Sequence, residues 1–100
     1  MRTVAFVTDL MDRSRLAGAF TDLEVTTDPA AAAGADVVLV DLARHADLVA
    51  AIRAAAPTAR IVAFGPHVDD AGLARAAHDG ADVVLPRSQF FRDPAGATGQ

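Results

Sequence analysis

The chain contains no cysteine, lysine, tryptophan or tyrosine. Without cysteine there is no disulfide framework and no thiolate metal site. Without lysine there is no ammonium chemistry; the 9 basic residues are all arginine. Without tryptophan or tyrosine, the platform on which nucleic-acid bases usually stack is missing. No apolar run approaches the roughly 20 residues that span a bilayer. The apolar part of the opening stretch, before Asp9, is too short for a secretory signal. His45, His67 and His78 are scattered without metal-ligand spacing. A net charge of −4 argues further against a general nucleic-acid surface. The expected setting is the cytoplasm, with neither nucleic acid nor membrane as partner.

What is present fits one small domain with a single core: 100 residues, 52% of them hydrophobic and many of those alanine. The expected domain is residues 1–92, and the Pro/Gly-rich remainder, 93–100, reads as a flexible tail.

The hexapeptide Gly-Ala-Asp-Val-Val-Leu occurs twice, at Gly34–Leu39 and Gly80–Leu85. Each copy reads as a helix-ending glycine, a turn and a buried strand. This is what any helix-to-strand junction requires, so the repeat follows from the grammar of the fold and needs no duplication. Three more apolar runs, Thr3–Val7, Leu23–Thr26 and Ile61–Phe64, read as strands, the second polar enough for a sheet edge. Helices are expected from about Arg13 to Phe20, after Asp28-Pro29, from about Asp47 to Ala56, and after Asp69 or Asp70. The alternation implies a parallel sheet covered by helices on both faces, with right-handed crossovers.

In such sheets ligands bind beyond the carboxyl ends of the strands. That edge collects Asp9, Asp12, Arg13, Ser14 and Arg15 after the first strand. Asp41, Arg44 and His45 follow the third strand, Gly65, Pro66 and His67 the fourth, and Arg87 and Ser88 the fifth. Strands lie about 4.8 Å apart, so Asp9 and Asp41 are expected within a few ångströms of each other. Carboxylates that close share a proton, bind a cation or need arginines beside them. Asp12 and Asp47 are read as helix caps, and Arg15, Arg53, Arg60 and Arg75 as solvated surface. His45 and His78 are read as exposed helix ends.

Val7-Thr8-Asp9, Asp36–Leu42 and Gly80–Arg87 resemble the three landmarks of response-regulator receiver domains, and the resemblance runs from Thr3 to about Phe90. It implies a flavodoxin-like, doubly wound sheet of five parallel strands in the order 2-1-3-4-5. It also implies an acidic, magnesium-holding pair at Thr8 and Asp9, a phosphoacceptor at Asp41, a hydroxyl position at Gly65 and a lysine position at Arg87. Three of these depart from the family pattern. Thr8 removes a carboxylate, Gly65 has no hydroxyl, and Arg87 presents a planar fork that can pair bidentately with Asp41. The family's fifth helix is expected to be absent.

The resulting expectation is a degenerate receiver-like signalling module that is not an enzyme. It would act by binding another protein or itself, hold no cofactor beyond weak Mg²⁺ at Asp9 and Asp41, and not be efficiently phosphorylated on aspartate. One alternative is a working phosphoacceptor receiver. The other is a small anion- or nucleotide-binding domain using Arg13, Arg44, His67 and Ser88 together with Arg87. With no fifth helix, Phe90 and Phe91 either fold back as a partial cover or join an exposed patch that supports a symmetric dimer.

Overall fold

The protein is described from a computed structural model over residues 1–99. The chain runs through β1 (Thr3–Phe6), α1 (Leu10–Ala19), β2 (Glu24–Val25), a 3₁₀ turn (Pro29–Ala32) and β3 (Val37–Asp41). It continues through α2 (Leu42–His45), a second 3₁₀ turn (Ala46–Leu48), α3 (Val49–Ala55), β4 (Arg60–Gly65) and α4 (Asp70–His78). It ends with β5 (Val83–Pro86), α5 (Arg87–Arg92) and α6 (Pro94–Ala97). All strand pairs are parallel, in the order β2-β1-β3-β4-β5. This is the flavodoxin-like topology expected from the sequence.

Strand side chains alternate between two cores, as the pleat requires. Val4, Phe6, Val38, Val40, Ile61 and Ala63 face one core, closed by Val49 and Ile52 of α3 and Ala76 of α4. Ala5, Val7, Leu39, Val62 and Phe64 face the other, closed by Leu16 of α1 and Phe90 of α5. The three inner strands are buried on both faces, which is why they read as unbroken Val/Ile/Ala runs. The edge strands β2 and β5 are more exposed.

The repeated hexapeptide performs one job twice. Gly34 and Gly80 take positive φ, 78° and 121°, a region closed to most side chains. The aspartate of each copy then accepts a backbone N–H from an adjacent segment: Asp36 from Arg2 at 2.7 Å and Asp82 from Ile61 at 2.8 Å. An arginine braces each junction. Arg2 donates to the Ala31 and Ala33 carbonyls and to Glu24. Arg53, expected on the solvated surface, instead donates to the Gly80, Ala56, Pro57 and Ala59 carbonyls and to Asp82. Carbonyls at the end of α3 and in the α3–β4 turn, left without helical partners by the end of the helix, converge on the guanidinium and draw it inward.

The carboxyl end also differs from expectation. In place of a missing fifth helix and a flexible tail there are two short helices, and Phe90 and Thr98 are buried. Asp93 caps α6 by accepting from the Gly96 N–H at 3.0 Å, and Pro94 supplies its first turn. Phe90 stacks on Phe64 at 4.5 Å between ring centroids, with Phe91 edge-on to both. The phenylalanines therefore fold back over the sheet and do not form the exposed patch that favoured a dimer. Asp47 makes no cap hydrogen bond; it lies in the second 3₁₀ turn, ahead of an α3 that starts without a side-chain cap.

Candidate functional site at the carboxyl edge of the sheet

The register fixes which residues meet at this edge. Phe6 lies opposite Val40, Asp41 opposite Phe64, and Gly65 opposite Pro86. Thr8-Asp9, Asp41, Gly65 and Arg87, which follow or end β1, β3, β4 and β5, therefore lie at the same edge of the sheet.

Each of the two expected carboxylates is engaged with its own helix. Asp41 is 3% exposed, and its Oδ1 accepts the Ala43 N–H at 3.1 Å, capping α2. Asp9 caps α1 through the Asp12 N–H at 3.0 Å. That bond is the main reason the Asp9 carboxyl sits below the usual range; the Met11 N–H, Arg44 and Arg87 add to it against a smaller desolvation effect. So the helix cap is Asp9, and Asp12, expected to be the cap, does something else.

Asp12 is 2% exposed and faces Arg87. Arg87 Nη1 donates to Asp12 Oδ2 at 2.7 Å, and Nη2 donates to Oδ1 in a short second bond, completing a fork. Arg87 thus does pair bidentately, with Asp12 and not with Asp41. Its basicity is raised first by the Asp12 bond, opposed by burial, and then by the charges of Asp12, Asp41 and Asp9. The Arg87 guanidinium also lies 4.8 Å from the Phe91 ring centre, and Arg15, expected in solvent, lies 5.5 Å from it.

The remaining expected residues are less convergent. Thr8 Oγ1 hydrogen-bonds His45 Nε2 at 3.2 Å, so His45 is drawn over the edge and is only partly exposed. Arg13 turns back and donates to the Val7 carbonyl at 3.0 Å. Arg44 is exposed and close enough to Asp9 to act on its charge. His67 and Ser88 are exposed, and among the described residues no hydrogen bond or ion pair joins them to Arg13 or Arg44. Gly65 is buried, and a Cβ there would lie 3.2 Å from Leu42 Cβ and 3.4 Å from Leu73 Cδ2. Two leucines therefore close in on the position where the family carries a hydroxyl.

The donor set is a poor fit to a hard divalent cation. Such ions want several anionic oxygens free to converge. Here the carboxylates of Asp9 and Asp41 each serve a backbone N–H, Asp12 is sealed under Arg87, and Arg44 and Arg87 add positive potential. Among the described residues, no group of three or more His, Asp or Glu side chains is placed to hold a metal ion. Two shallow concavities, of about 220 and 380 Å³, lie away from this edge, one beside Thr3 and Phe20 and the other beside Ala50 and Arg75. No described helix is long and apolar enough to cross a membrane.

The Asp12–Arg87 pair is not what the spacing around Asp12 suggests, though a signal for it is present in the sequence. Asp12, Leu16 and Phe20 fall at successive i, i+4 positions, and all three are buried. A carboxylate on the buried stripe of a helix needs a partner, and Arg87 is it.

No protein-family model matches the chain, and no curated protein matches it in sequence. Solved structures do match in shape. One is a response regulator protein from Burkholderia pseudomallei with a phosphorylated aspartic acid, a calcium ion and citrate. It has TM-score 0.75 and 18% identity, over 96% of this chain and 64% of that one. The chain thus spans less than two thirds of that protein. Another is a CheY-like protein, tadZ, from Pseudomonas aeruginosa, with TM-score 0.69 and 17% identity over 88% of this chain and 87% of that one. A third is the signal receiver domain of a DNA-binding response regulator from Colwellia psychrerythraea, with TM-score 0.65, 15% identity and full coverage of both chains. At these identities the likeness establishes the fold: the chain is a receiver-like domain in architecture.

Proposed function

We propose that the chain is a degenerate receiver-like regulatory module that works by binding another protein, or a second copy of itself, without efficient phosphotransfer to Asp41. The observation that carries this reading is the commitment of Arg87 to buried Asp12. A cation at the lysine position of a working receiver must be free to meet a new phosphoryl group, whereas here leaving Asp12 would strand a desolvated carboxylate. The crowding at Gly65 and the loss of an acid at Thr8 support the same reading. Among the described residues, no nucleophile, base and orienting group converge at the edge, which supports a non-enzymatic role.

A second reading, a phosphorylatable receiver, is favoured by one feature. Asp41 ends β3 at the position the resemblance assigns to the phosphoacceptor, and the Burkholderia protein of the same fold holds a phosphorylated aspartate. Magnesium separates the two readings. The proposed reading expects no saturable NMR shifts at Asp9 or Asp41 below millimolar Mg²⁺; tight, saturable shifts at both would favour the second.

A further inference from the structure

We propose that residues 87–99 form a strap that opens in the native state as a unit, separately from the sheet, and that the Asp12–Arg87 pair is its latch. The inference does not depend on what the domain regulates.

The hydrogen-bond pattern sets the strap apart. Within it, the Asp93 N–H bonds the Phe90 carbonyl, the Ala97 N–H the Asp93 carbonyl, the Thr98 N–H the Ala95 carbonyl and the Gly99 N–H the Gly96 carbonyl. The side-chain bonds of Asp93 and Thr98 also stay inside it. Among the described residues, the side-chain hydrogen bonds that tie this segment to the rest of the fold are those from Arg87 to Asp12. The other attachments are Phe90 on Phe64, with Phe91 and Ala97 packed against the same core, and Arg15 of α1 over the Phe91 ring.

Both helices of the strap are short, 6 and 4 residues, well below the length at which a helix holds itself together. Each keeps its shape only while docked. The strap leaves β5 directly at Pro86, so it adds no strand to the sheet, and its removal breaks no ladder. Segments with few bonds to their surroundings occupy the low end of the opening free energies within one protein. Arg87 is well placed as a latch because it is the first residue of the strap and ties α5 to α1. Its fork holds α1 through Asp12, and its face lies on Phe91 further along α5. The two partners differ in access, Arg87 at 43% side-chain exposure and Asp12 at 2%. An anionic group arriving at this edge meets the movable half of the latch first.

Native-state hydrogen exchange at several low urea concentrations tests this, using amides of Phe91, Arg92 and Ala97 for the strap and of Leu39, Val40 and Val62 for the sheet. The strap amides should exchange faster than the sheet amides and with a weaker dependence on urea. Ile52→Val, in the opposite core, should speed sheet exchange about threefold or more and leave strap exchange unchanged. Arg87→Ala should speed strap exchange about tenfold, with Arg87→Lys between it and the parent. Equal protection and equal urea dependence in strap and sheet would overturn separate opening, as would an Ile52→Val effect of the same size in both. Strap exchange unmoved by Arg87→Ala and Arg87→Lys would overturn the latch. Should Arg87→Ala not fold, Arg87→Lys and Ile52→Val still decide both points.

Discussion

Arg87→Ala exposes the energetics of the edge most clearly. The substitution leaves Asp12, 2% exposed, as a buried carboxylate without its cation. For fully buried pairs, losing one partner costs about 3–5 kcal/mol. Arg87 itself is 43% exposed, so water reaches the gap and the loss should fall to about 1–3 kcal/mol. Loss of the contact with Phe91 is included in that range. For a domain this size, a loss of about 2 kcal/mol lowers Tm by roughly 8–16 °C. Urea unfolding followed by far-UV circular dichroism is the assay, since the chain has no tryptophan or tyrosine to report by fluorescence. A rescue is expected as well. In the Arg87→Ala background, Asp12→Asn removes the stranded charge and should restore part of the stability, whereas Asp41→Asn should not. A midpoint shift worth less than about 0.5 kcal/mol, or rescue by Asp41→Asn in place of Asp12→Asn, would refute the pairing.

Other consequences follow from single sites. Gly65→Ser should lose about 1 kcal/mol by crowding, and Leu42→Ala should not relieve it, because the nearest atom is the Leu42 Cβ that alanine retains. Thermal melts of the single and double variants check this. Arg53→Ala should lose about 2 kcal/mol, with little recovery in Arg53→Lys, since one ammonium cannot reach four carbonyls and Asp82 at once. At Asp82, desolvation is the largest single effect and pushes the carboxyl up, yet the Ile61 N–H and Arg53 together outweigh it and leave it below its usual value. Its contribution should be complete above the unfolded carboxyl pKa of about 4 and be lost as pH falls through the lower folded value. Asp82→Asn should therefore flatten the acid limb of a stability-against-pH curve; an unchanged limb would contradict the linkage. Phe90→Ala should cost about 3–5 kcal/mol, measurable by the same urea titration, because the ring is fully buried against Phe64.

The sheet was legible because its inner strands are buried on both faces and can only be written as continuous apolar runs, such as Val37–Val40. The site was legible in outline, since Asp41 and Arg87 each follow such a run by a known number of residues. Its wiring was not. Asp12 stands three residues after Asp9, a spacing that suits a capping role for either, and only the burial of Leu16 and Phe20 at the same helical phase distinguishes them. Arg53 looked like a surface arginine because nothing local announces the carbonyls it reaches, which come together only when α3 meets the β5 junction. The carboxyl end was misread despite a visible signal. Asp93-Pro94 is the same helix-starting pair as Asp28-Pro29, but the glycines after it read as a tail. What holds that segment is the aromatic contact between Phe64 and Phe90 together with the Asp12–Arg87 pair, both joining residues distant in sequence.

The central claim is that the edge is closed to phosphotransfer by its own ion pair. It is tested most directly by intact-mass measurement after incubation with a small phosphodonor and Mg²⁺, with Asp41→Asn as the control. The account predicts no phosphoryl adduct on the parent chain beyond the level seen in Asp41→Asn. A substantial adduct on the parent, absent from Asp41→Asn, would contradict it.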